Sequence, residues 1–77
     1  MDRIEAGMAV FGVSGRRVGV VGEVADGCFE IRRERDDGGM ICVTGDALFT
    51  VEARQGVTLV CEKAEVERYR CAEHTAG

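Results

Sequence analysis

Apolar and polar residues alternate along most of this chain with the two-residue period of half-buried strands, and the alternation is interrupted at glycine-bearing turns. Met8 to Val13 reads as a first strand, with Met8 and Val10 on one face and Ala9 and Phe11 on the other. A Ser14-Gly15 turn leads into a second strand from Arg17 to Val24, and the two together form the most strongly patterned hairpin of the chain. In that second strand Val18, Val20 and Val24 share a parity that Val21 breaks. A bulge or sharp bend near Gly19 or Gly22 reconciles them, and bent strands are what a small barrel requires.

Ala25-Asp26-Gly27 is a turn, and Cys28 to Arg33 is a third strand with Phe29 and Ile31 inward and Glu30 and Arg32 toward water. Glu34 to Gly39 is the most polar stretch and reads as a mobile hairpin loop before a fourth strand, Met40 to Thr44. That strand directs Ile41 and Val43 inward, although its other face, Met40 and Cys42, is nearly as apolar. Gly45 to Leu48 makes a single turn, Phe49 to Glu52 a fifth strand, and Val57 to Cys61 a sixth after the Arg54-Gln55-Gly56 turn. From Glu62 to Cys71 the residues become helix-compatible, with Glu65/Arg68 and Glu67/Arg70 three apart and an apolar line through Val66, Tyr69 and Ala72. The predicted core is Met8, Val10, Val18, Val21, Phe29, Ile31, Ile41, Val43, Leu48, Val51, Val57 and Leu59.

Composition supports an all-β reading. The 77 residues fit one domain, the many valines suit a pleated surface, and eleven glycines imply turns and bulges rather than long helices. A net charge of −4 counts against a chain devoted to the phosphate backbone of a nucleic acid. Met1 is followed by Asp2, Arg3 and Glu5, and no apolar run approaches the ~18 residues of a bilayer span, so the expectation is a cytoplasmic protein. In that compartment the four cysteines, Cys28, Cys42, Cys61 and Cys71, are reduced thiols by default.

Little of the sequence carries chemistry. Gly12, Gly15, Gly19 and Gly22 do not make a dinucleotide or phosphate-loop pattern, and they feed a strand rather than a helix. Cys28, Cys42 and Cys61 fall in three separate strands without a C-x-x-C pair, and Cys71-x-x-His74, the one close Cys/His pair, sits in the terminal tail. The strand cysteines therefore read as small core residues, with no metal, cofactor or catalytic residue assigned. Asp36-Asp37-Gly38 lacks the alternating ligands of a calcium loop. Arg32, Arg33 and Arg35 offer guanidinium groups to an RNA or ribosomal partner, but Glu30, Glu34, Asp36 and Asp37 are interleaved with them. Phe11 is turned outward where Val20 of the next strand extends its patch, and Tyr69 lies on the terminal helix; these three define the candidate partner surface, for a protein partner or a second copy.

The chain resembles the PRC-barrel-like domains, in particular a group of short stand-alone bacterial proteins of unknown function. The residues that carry the resemblance are Gly7-Met8-x-Val10, the Ser14-Gly15 turn, Val18-Gly19-x-Val21-x-x-Val24, Ile41-x-Val43, Leu48-x-x-Val51 and Val57-x-Leu59. It departs from the pattern in having Ser14 where an Asp is common and Cys42 where a proline is frequent. The resemblance implies a six-stranded SH3-like barrel with a short C-terminal helix, spanning residues 4–72 ahead of a flexible tail at 73–77. It also implies a module that works by assembly or binding, as such barrels do in a photosynthetic reaction-centre subunit and a ribosome maturation factor. It supplies no catalytic residue. The function expected is thus a non-catalytic interaction module, with an RNA- or ribosome-associated module, or a thiol- or metal-dependent enzyme, as the alternatives.

Overall fold

In a computed structural model that describes residues 3–33 and 39–71, six strands form one curled antiparallel-dominated sheet in the order β4-β3-β2-β1-β6-β5. The strands are β1 (Ala9–Phe11), β2 (Arg17–Ala25), β3 (Cys28–Arg33), β4 (Met40–Thr44), β5 (Leu48–Glu52) and β6 (Gly56–Leu59). Two 3₁₀ helices, η1 (Gly45–Ala47) and η2 (Lys63–Tyr69), complete the order. The fold is the expected all-β, small barrel-like class, in the form of a half-barrel. β1 pairs antiparallel with β2 and parallel with β6, where Val10 lies opposite Val57 and Phe11 opposite Thr58. β4 and β5 are the terminal strands, so ladder pairing does not close the barrel; η2 contacts both β4 and η1 across that side.

The curl is concentrated in β2. Its register slips against β1 beside Val10 and Phe11, and again against β3 between Val21 and Val24. These irregularities let Val18 and Val21 both reach the core despite their opposite parity, while Val24 is exposed. Gly19 makes the bend feasible, because a Cβ there would run into the Arg32 carbonyl of β3. Gly56 does the same where β6 starts: its φ is +108° and a Cβ would strike the Ala9 carbonyl of β1.

Ten of the twelve predicted core residues are buried, and the other two, Met8 and Leu48, pack against the core while half-buried. Ala47 and Val66, in segments without strand periodicity, are buried as well, and so is Cys61, which continues the inward parity of Val57 and Leu59. Val66 is the inward face of η2, which is 3₁₀ and ends at Tyr69; the Ala72 end of the expected apolar line lies outside the described residues. The narrow stripe explains the geometry, since a three-residue repeat eclipses side chains at i and i+3. It brings Arg70 to within 3.6 Å of Glu67, while Glu65 accepts a hydrogen bond from the Glu62 N–H at 3.1 Å. At the opening hairpin, the Ser14 hydroxyl donates to the Glu62 carboxylate at 3.0 Å, tying the turn to the start of η2. The loop expected at Glu34 to Gly39 lies, but for Gly39, outside the described residues.

Candidate functional site

The strand alternation that buries Phe29, Ile31, Ile41 and Val43 turns Cys28 and Cys42 onto the outer face of the β3–β4 hairpin. Cys28 pairs with Thr44 and Glu30 with Cys42, so the two cysteines are diagonal neighbours on one face. After η2 the chain returns along the outer edge of β4, where Arg70 bridges Val43 and the Cys71 N–H donates to the Cys42 carbonyl at 2.9 Å. Cys71 thereby joins the other two. The three Sγ atoms lie within 4.8 Å of one another, and those of Cys42 and Cys71 are 3.2 Å apart. All three thiols are free and half-buried, whereas Cys61 is buried on its own in the core.

Packing thiols together disfavours their ionised forms. Desolvation, followed by hydrogen bonding to Cys42 and Cys28 and the repulsion of their charges, pushes the Cys71 thiol up to about 12. For Cys42 the hydrogen bond with Cys71 works downward, but desolvation, Cys28 and Glu30 outweigh it, and its pKa is raised. Burial, reinforced by Glu65 and Glu62, also raises Cys61. Weakly ionised thiols are poor nucleophiles, and they hold a cation only by giving up their protons to it in exchange.

Spacing in the sequence hid this cluster, because its members are far apart in the chain. The available signal was parity: inward Phe29, Ile31, Ile41 and Val43 leave Cys28 and Cys42 outward on adjacent strands. Only the path of η2 reveals that Cys71 comes back to meet them.

The candidate partner surface divides. Phe11 and Val20 lie on the outer face of β1 and β2, where the Arg17 guanidinium sits over the Phe11 ring at 5.9 Å. Tyr69 is elsewhere, packed against the core from η2. Register carries the Phe11 row further, since Phe11 lies opposite Thr58 and Thr58 opposite Thr50, and exposed Phe49 and Val60 flank the row's far end. Of the arginine run, Arg32 is exposed, Arg33 is half-buried with its guanidinium 3.4 Å from Glu67, and Arg35 is outside the described residues, as are Asp36, Asp37 and His74. A shallow cleft of about 560 Å³ opens between the N-terminal segment and the β5–β6 turn; it is lined by Arg3, Arg54 and Glu5 among others and shares no residue with the thiol cluster. No helix among the described residues is long and apolar enough to cross a membrane.

No family model, curated protein or solved structure matches the chain.

Proposed function

We propose that this protein is a non-catalytic module that acts by association, and that its partner is a second copy. The observation that supports the reading is the uncharged row Phe11, Thr58 and Thr50, which runs across the outer face to β5 with Phe49 beside it. β5 is a terminal strand whose only strand neighbour among the described residues is β6. Unpaired strand edges without lysine or proline favour addition of another strand, and β5, Leu-Phe-Thr-Val-Glu, has neither. A two-fold axis through Thr50 satisfies such an edge with itself. It continues the outer face from one copy into the next and sets exposed Phe49, at the register irregularity beside Thr50, next to the axis in each copy.

Sedimentation of the full chain over a concentration series tests this. The wild type should show a monomer–dimer equilibrium that Phe49→Glu weakens at least about tenfold, one buried aromatic being worth about 1.4 kcal/mol or more at an interface. Phe49 is 59% exposed, so the variant should retain its fold. A wild type that remains monomeric at the highest soluble concentration, or a dimer indifferent to Phe49→Glu, overturns the proposal.

A further inference from the structure

We infer that Cys28, Cys42 and Cys71 form a binding site for a thiophilic metal ion, with zinc as the ion that suits it. A zinc ion held by thiolates at about 2.3 Å in tetrahedral geometry sets its sulfurs about 3.8 Å apart. Here all three sulfurs are already within 4.8 Å of each other, with one pair at 3.2 Å, so the required triangle is a side-chain adjustment away. The three ligands come from β3, β4 and the segment after η2, and strand register together with the Cys71-to-Cys42 backbone bond fixes where their backbones sit. Half-burial leaves a route for the ion while excluding much of the competing water.

Chemistry selects the ion class. Thiolates are soft ligands, preferred by zinc and cuprous ions over magnesium or calcium. On binding, the three thiol protons leave to solvent and each sulfur donates an electron pair to the ion. The mutual repulsion that disfavours three neighbouring thiolates then becomes attraction to a shared dication, with Glu30 adding negative potential beside Cys42. The fourth position belongs to water or another donor. In the sequence His74 follows Cys71 at ligand spacing, outside the described residues, and the inference rests on the three thiols alone. The effect of the ion is to fasten the terminal segment across the edge of β4, a staple of the sort small domains commonly need.

The test uses the full chain, reduced and chelated, with four free thiols verified by mass. Cobalt(II), a spectroscopic stand-in for zinc, should bind at one equivalent with a thiolate-to-metal charge-transfer band and tetrahedral d–d bands, and zinc should displace it. Serine at any one of Cys28, Cys42 or Cys71 should lower affinity at least about tenfold, and the triple serine variant should lose the charge-transfer band. Cys61→Ala should keep both. Absence of the band in the wild type overturns the inference irrespective of how the variants fold. So does a band that survives the triple substitution, or one that is lost with Cys61 alone. The association state plays no part in these readouts, so this result and that of the sedimentation series are separable.

Discussion

Val66→Ala tests whether η2 is part of the folded unit or an ornament on it. Val66 is fully buried, and truncation deletes two carbons from its side chain. At about 0.8 kcal/mol per buried carbon, the lost transfer energy is about 1.6 kcal/mol. A cavity that fails to collapse adds about 1 kcal/mol, and the better helical propensity of alanine returns about 0.5. The net loss is about 2 kcal/mol, a large share of the roughly 3–5 kcal/mol a core of this size supplies. For a chain this short, the midpoint of thermal unfolding should fall by about 8–16 °C. The molecule carries its own reporter, because its one tyrosine, Tyr69, sits in η2 and it has no tryptophan. Urea unfolding followed by tyrosine fluorescence and by far-ultraviolet circular dichroism should give coincident transitions, both shifted in the variant. A shift below about 0.5 kcal/mol, or a fluorescence transition that precedes the loss of sheet, would refute the idea that η2 completes the core.

Gly19→Ala should cost about 3 kcal/mol or more and abolish a cooperative melt, because the obstructing group is the backbone of β3, whereas Gly15→Ala, at φ +94° with open space around it, should cost only about 1 kcal/mol. Glu65→Ala removes the acceptor for the Glu62 N–H and should lower stability by about 0.5–1 kcal/mol in a denaturant titration. Cys61 should resist alkylation in the folded protein and react once urea unfolds it; rapid labelling of native Cys61 would contradict its placement in the core. Its raised pKa means the folded state holds the thiol proton more tightly than the unfolded chain does. The associated stability is present below the ordinary thiol value of 9.0 and is lost as pH rises beyond it, so the alkaline fall in stability should be shallower in Cys61→Ala.

What the sequence made legible was what local periodicity encodes. β3 and β4 have the boundaries their alternation predicts, and the clash of valine parity in β2 foretold a bulge that the register confirms. Ala47 was missed as core because it lies in a short 3₁₀ turn, where one inward residue leaves no repeat to detect. Of the three strand cysteines read as small core residues only Cys61, in line with Val57 and Leu59, is buried, while Cys28 and Cys42 are half-buried on the outer face. The open side between β4 and β5 was illegible for a related reason. Whether two terminal strands meet depends on accumulated twist and on what packs between them, and no single residue reports that sum. The thiol cluster needed two facts at once, a hairpin register and the return path of η2. Only the first has a local signature.

The parallel ladder between β1 and β6 has a consequence for how the chain is made. Val10 and Val57 are distant in the sequence, so β1 has its inner hairpin partner early but must wait until β6 has been made before its other edge is covered. During synthesis the β1–β4 meander can form from neighbouring segments, while the β1 edge stays open to any other strand that passes. The window closes only when Gly56–Leu59 emerges, and the nascent protein is most vulnerable to mispairing until then.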